Sequence, residues 1–239
     1  MGNDSKYMRV ERKELKYYIS YNEYLILRNM LKKILPLDKY HSKGKKGYLV
    51  RSLYFDTINN KSFEEKMGGF ESRTKYRLRI YDVNNKQVKF EIKNKLDNSI
   101  VKETAMIGRE DAIELQKENY EVMLKYKNDT LNKAYLEFKK HAYAPVVLVE
   151  YVREAFTYDA NSIRIVFDRF LRSSQLQLDI FKINPVMVPQ LKKEIVIMEI
   201  KYDHFVPKWI RDMIQIPSFD RSAISKYCIG RIDLFEKFF

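Results

Sequence analysis

The chain has 239 residues, enough for one substantial core, and 45% of them are hydrophobic, with 18 Tyr and 14 Phe, which excludes a disordered basic chain. Lys and Arg number 45 against 32 Asp and Glu, a net charge of +13, so the expected partners are anions: nucleic acid, an acidic membrane surface or phosphorylated molecules. Cys228 is the only cysteine, which excludes an intrachain disulfide and a zinc site of Cys spacing and suggests a reducing compartment. The N-terminal residues show no signal-peptide core, no stretch approaches bilayer-spanning length, and Lys6 stands where myristoylation would want Ser or Thr; a soluble cytoplasmic protein is expected.

Residues 9–19 alternate, with Arg12, Glu14, Lys16 and Tyr18 on one face of a strand and Lys13, Leu15, Tyr17 and Ile19 on the other. Ser20 with Glu23 forms a capping-box pattern, after which Tyr24, Leu27, Leu31 and Ile34 recur at helical spacing up to Pro36. Residues 37–47 read as a basic loop with Lys39, Lys43, Lys45 and Lys46. A more apolar strand is predicted over 48–57.

The stretch RTKYRLRIYD, residues 73–82, places Arg73, Lys75, Arg77, Arg79 and Tyr81 on one face and Tyr76, Leu78 and Ile80 on the other. Such a row of cations repels itself, so it lies in open solvent or a polyanion holds it together. Hairpin turns at Asn84-Asn85 and Asp97-Asn98 continue a meander in which Lys89, Glu91, Lys93 and Lys95 share a face, followed by Lys102 and Thr104. From Arg109 to about Lys140 the period is helical, with a break near Asn128. Strands are then predicted over 146–159, 162–170 and 194–202, with a short one at 175–181. Tyr151 shares a face with Arg153, Arg164 with Asp168, and Glu199 with Lys201. Pro207 fits the first turn of a helix, and a last helix carries Lys226. No repeat or linker divides the chain, so residues 1–239 are expected to form a single domain.

About eight strands, each with one apolar and one charged face, leave two arrangements open. One is a half-exposed sheet with solvated charges. The other is a closed barrel with helices on its apolar outside and the charges lining its interior, where water and phosphate would fill it. Arg suits phosphate through its bidentate fork, Lys as a point charge, and a Glu or two could hold a divalent ion that bridges phosphate oxygens. There is no Walker A loop or GxGxxG, and His41, His141, His204 and Cys228 read as structural.

The segments RKELKYYIS, VRSLYFDT, RTKYRLRIYD, FEIKNK, VEYVREAF, RIVFDRFLR, MEIKY and SKYCIG, in this order from about Arg9 to Gly230, resemble the VTC (vacuolar transporter chaperone) domain, the polyphosphate polymerase branch of the CYTH-like triphosphate tunnel metalloenzymes. The resemblance implies an α+β fold, an eight-stranded antiparallel β-barrel tunnel with flanking helices. It implies transfer of the terminal phosphate of ATP to a growing polyphosphate chain with Mn2+ or Mg2+. The catalytic residues it implies are Arg77, Arg79, Lys93 and Glu199; the substrate-binding ones are Lys16, Lys102, Arg153, Arg164 and Lys226; the metal ligands are Glu199 and Glu14. Glu91 is left open between metal ligation and pairing with Lys93. Inorganic or nucleoside triphosphatase activity and non-catalytic polyphosphate binding are the alternatives. Hydrolases of the wider superfamily begin with Glu-x-Glu-x-Lys, whereas this chain reads Arg12, Glu14, Lys16, a change that favours phosphate-chain binding over a fully acidic metal site. The implied partners are ATP and polyphosphate rather than nucleic acid. A membrane-protein partner and a peripheral position at a membrane are compatible with the resemblance, which leaves the oligomeric state undefined.

Overall fold

The computed structural model describes residues 13–41, 46–96, 99–214 and 223–232. Arg12, Lys43, Lys45 and the Asp97-Asn98 turn, all part of the sequence reading, lie outside them.

Eight strands form one antiparallel sheet: β1 (Lys13–Ser20), β2 (Tyr48–Thr57), β3 (Arg73–Ile80), β4 (Gln87–Leu96), β5 (Ser99–Gly108), β6 (Tyr143–Tyr158), β7 (Ile163–Ser174) and, after the two-residue β8 (Val188–Pro189) that pairs with β7, the last strand β9 (Ile195–Tyr202). Their spatial order is β1-β9-β7-β6-β2-β3-β4-β5. The sheet curls like a barrel, but among the described residues no ladder joins β1 to β5. Side chains span the seam instead: Lys93 Nζ on β4 lies 3.3 Å from Glu14 Oε2 on β1. Backbone pairing at about 4.8 Å would press Lys16, Lys93 and Lys201, already gathered around Glu14, closer together, which their repulsion opposes. Residues 175–181, expected as a short strand, form none, and β8 takes the place beside β7.

The helices cover the outer face. In α1 (Tyr21–Ile34) the capping box is complete: Glu23 N–H donates to Ser20 Oγ at 3.2 Å and Ser20 N–H donates to the Glu23 carboxylate at 2.7 Å. Its buried stripe of Tyr24, Leu27 and Leu31 packs on Ile165, Phe167, Met198 and Ile200, joined by Ile210 and Ile214 of α5 (Lys208–Ile214). Tyr24 Oη and Arg28 Nε both donate to buried Glu154 at 2.8 Å, which fixes the helix on β6. On the other half of the sheet, α3 (Arg109–Gln116) and α4 (Asp129–His141) cover Leu53, Phe55, Tyr76, Leu78, Phe90 and Ile92. The helical stretch breaks where expected: Asn128 caps α4 by accepting from Leu131 N–H at 3.2 Å.

A third cluster lies on the inner face, where Val50, Val149, Tyr151 and Ile197 meet Ile224, Tyr227 and Cys228 of the C-terminal segment with α6 (Lys226–Arg231). Gly230 allows this approach, because a Cβ there would stand 3.1 Å from Ser173 Cβ and 3.2 Å from Val149 Cγ2. Asp56, fully buried, accepts from Ser62 N–H at 2.8 Å in α2 (Lys61–Met67) and from Tyr227 Oη, tying α6 to β2. Among the described residues no helix is long and apolar enough to cross a membrane.

Candidate functional site

On β3 the alternation puts Arg73, Lys75, Arg77 and Arg79 on the concave face while Tyr76, Leu78 and Ile80 enter the outer core. The same period directs Lys93 and Lys95 of β4, Glu14 and Lys16 of β1, Glu199 and Lys201 of β9, and Tyr151 and Arg153 of β6 inward, and α6 adds Lys226. Together they line a cavity of about 750 Å³. Twelve lysines and arginines and two glutamates stand on its wall, so the enclosed space is strongly positive.

Each carboxylate near this wall is shared among several cations. Arg77 donates from Nε to Glu91 Oε2 at 2.7 Å, Arg79 Nη1 lies 3.7 Å from the same oxygen, and Lys102 pairs with the other. Burial pushes the Glu91 carboxyl up, but Arg77, Arg79 and Lys102 together hold it well below the usual carboxylate range. Glu91 is therefore the counter-anion of the Arg77–Arg79–Lys102 group, and Lys93, the pairing partner the sequence offered, turns to Glu14 instead. Glu14 stands among Lys16 at 3.1 Å and Lys93 and Lys201 at 3.3 Å. Asp168 accepts both arms of Arg153, at 2.7 and 2.8 Å, and Lys226 Nζ at 2.6 Å. Burial lowers the Lys226 ammonium, yet Asp168 and Glu199 more than offset it and push it up to about 12. Lys93 goes the other way: enclosure by the wall, with Lys16 and Lys201 near and only Glu14 and Glu199 opposing, pushes it down to about 8.

Glu14 and Glu199 are within hydrogen-bonding reach of each other, and Lys201 lies 3.3 Å from each. Burial raises the Glu199 carboxyl, but Lys201, Glu14, Lys16 and Lys226 bring it well below its ordinary value. Among the described residues no group of three or more His, Cys, Asp or Glu gathers as a metal site. A pair of carboxylates still fits a hard divalent ion of the Mg2+ type, which takes one or two carboxylates and fills its remaining positions with water and phosphate oxygens.

Of the residues expected from the sequence, Lys16, Arg77, Arg79, Lys93, Arg153, Lys226, Glu14 and Glu199 line the one cavity. Lys102, opposite Lys93 on β5 and so on the same concave face, is absent from the lining and pairs with Glu91. Arg164 is absent from the lining, because its guanidinium is engaged by Asp38 and by Tyr48 Oη at 2.9 Å. Lys75, on the same face of β3 as Arg77 and Arg79, lines the cavity and is docked on the C-terminal segment, with Nζ 2.9 Å from Ser225 Oγ and 4.8 Å from the Tyr227 ring centroid. Sequence reasoning passed over Lys201, although it follows Glu199 by two residues on the same face. It also missed Tyr54, whose hydroxyl accepts from Arg77 Nη1 at 3.0 Å, and Lys66, which reaches the cavity from α2 and carries no strand signal.

A candidate adenylate cyclase from Bacillus halodurans aligns with a TM-score of 0.53 over 96% of this chain and 99% of its own, at 10% identity. One from Vibrio parahaemolyticus, at 13% identity, covers 92% of this chain and 98% of its own with a TM-score of 0.48. The first likeness shows the fold alone, a curled antiparallel sheet with helices on its outer face. Among curated proteins none matches the chain. The family model of the VTC domain matches residues 11–235, a span that takes in every strand and every cation that lines the cavity, and the chain belongs to the VTC domain family.

Proposed function

We propose that this protein is a metal-assisted polyphosphate polymerase that transfers the terminal phosphate of ATP to a polyphosphate chain. The observation that carries this reading is the excess of twelve cations along one enclosed wall over the four carboxylates that pair with them, Glu14, Glu91, Asp168 and Glu199, a charge that a single phosphate would leave largely unbalanced. A terminal oxygen of the acceptor chain attacks the γ-phosphorus in line. The bond from that phosphorus to the β–γ bridging oxygen breaks, its electron pair leaves with ADP, and the acceptor becomes one phosphate longer. Arg77 and Arg79 present guanidinium forks already oriented by Glu91, Tyr54 and Ser52, so little reorganisation accompanies the charge shift. Lys16, Lys93 and Lys226 act as point charges along the chain, and Arg153, held by Asp168, positions Glu199. Glu199 and Glu14 would hold Mn2+ or Mg2+, which when bound supplies Lewis-acid charge to the triphosphate oxygens. No side-chain nucleophile is required. Arg164 has no part in this reading, since it lies outside the cavity lining, with its Nη2 turned to Asp38 and Tyr48.

The test is purified protein with ATP and either ion. Chain product on a gel with matching ADP supports the polymerase. Release of single phosphate without chain growth replaces it with a triphosphatase, and tripolyphosphate binding without turnover in any ion replaces it with a binding module.

A further inference from the structure

One end of the curled sheet differs from the rest of the tunnel. Tyr81 follows the cavity-lining alternation of β3 one position beyond Arg79, and Lys89 stands opposite Arg79 on β4. Tyr48 shares its face with Tyr54 on β2, and Arg164 on β7 stands opposite Lys201. None of the four lines the cavity; they touch one another in series. Arg164 donates to Tyr48 Oη at 2.9 Å, the Tyr48 and Tyr81 rings meet edge to face at 5.9 Å, and Lys89 Nζ lies 4.9 Å from the Tyr81 centroid.

Across this series runs the segment that leaves α1. Backbone bonds fasten it to β6, Thr157 N–H to Pro36 O at 3.0 Å and Asp38 N–H to Ala155 O at 2.9 Å. Asp38 then accepts from Tyr48 Oη at 2.8 Å and from Arg164. Tyr40 stacks on Tyr81 at 4.6 Å, with 22° between the rings, and its hydroxyl accepts from Lys89 at 3.0 Å. A single short segment thus joins β7 to Tyr81 at the end of β3 and to Lys89 of β4, strands three and four places from β7 in the sheet order. The Asp38 carboxylate and the Tyr40 hydroxyl are engaged in these contacts, while Lys39 between them is exposed, with its ammonium 5.5 Å from the Tyr40 ring centroid. Beside the series, Arg79 opposite Lys89 and Arg153 opposite Tyr48 line the cavity.

We propose that the strap from Pro36 to Tyr40 closes this end of the tunnel, so that a phosphate chain enters and leaves on the side lined by Lys13, Arg73 and Lys95 and can lengthen inside only until it meets Tyr81. This rests on the phosphate-chain reading above and adds to it that the product is a short oligophosphate whose length the tunnel sets.

The experiment counts proteins on a linear polyphosphate far longer than the cavity, by light scattering, at a salt concentration that abolishes binding of Arg77→Ala. With a closed end the wild type saturates at no more than two proteins per chain, one on each terminus, whatever the chain length. The double variant Asp38→Asn, Tyr40→Ser opens the end, threads along the chain, and its count and its product length rise. A wild-type count that grows with chain length overturns the proposal, as does a folded double variant that stays at two. Tripolyphosphate binding is measured in parallel on the wild type. If it persists while long chains carry many proteins, the strap proposal falls and the phosphate-chain reading stands; if tripolyphosphate fails to bind, the reading itself falls and takes the strap proposal with it.

Discussion

Arg77 and Glu91 face each other across the β3–β4 ladder, and Arg77 donates from both Nε and Nη2 to a single carboxylate oxygen at 2.7 Å. Because Arg79 and Lys102 also turn toward Glu91, one buried anion organises three cations. Glu91→Gln should then cost about 3 kcal/mol, the lower end for breaking a buried pair since Lys102 stays 46% exposed. That corresponds to a fall of about 10 °C in Tm. Tripolyphosphate should raise the Tm of the variant more than that of the wild type, because it returns the missing negative charge. A differential scanning melt with and without ligand measures both, and equal ligand shifts would contradict this role.

Arg79 tests how far repulsion governs the row on β3. The bare alternation suggests that removing one of four like charges relieves strain. In the fold Arg79 donates to Ser52 Oγ at 3.1 Å and to Tyr151 Oη at 3.4 Å beside Glu91, so the row is already compensated. Arg79→Ala should lose about 1–2 kcal/mol of stability through unpaired buried groups. Tripolyphosphate affinity should fall at least tenfold. A variant more stable than the wild type would show that repulsion dominates after all.

Lys93 makes affinity and stability respond to alkaline pH in opposite senses. Its folded pKa of about 8 lies below the roughly 10.4 of an unfolded lysine. Between these values the unfolded chain binds the extra proton, so this residue's contribution to stability improves as pH rises from about 8 to 10. Over the same window Lys93 gives up its charge, as does Lys102 opposite it, which burial likewise pushes down to about 8 against Glu91. Tripolyphosphate affinity should then drop at least tenfold, the worth of one charged contact. Isothermal titrations at pH 7 and pH 9.5 measure the drop. Lys93→Arg, which keeps its charge, should lose distinctly less, and identical losses in both proteins would assign the effect elsewhere.

Substitution of Glu199, placed with Glu14 as a metal ligand in the proposed function, should separate binding from turnover. Glu199→Gln removes an anion from a wall already rich in cations, so tripolyphosphate affinity without metal should hold or rise. Turnover with Mn2+ or Mg2+ should fall at least a hundredfold, a loss of about 3 kcal/mol in the barrier. Added EDTA should abolish wild-type turnover and leave the residual rate of the variant unchanged. A variant whose turnover stays fully metal-dependent at the wild-type rate would exclude Glu199 as the metal ligand.

Much of this was written in the chain itself. Strict alternation in β3, β4 and β9 assigned Arg77, Arg79, Lys93 and Glu199 to one face and the apolar residues to the other, since a strand has only two faces. The capping box at Ser20 and Glu23 likewise marked the start of α1 to the residue. Which face points inward was decided by the helices, which can bury their stripes only on the apolar side. Long-range placement lay beyond any local pattern. Arg164 has the alternation of a tunnel residue, yet a loop more than a hundred residues earlier delivers Asp38 to it and withdraws it from the cavity. Glu91 has the spacing of a metal ligand, yet the ladder register sets it against Arg77. Local periodicity determines which side of a strand a charge occupies; only the curl of the sheet, which brings distant segments within a few ångströms, decides what that charge meets.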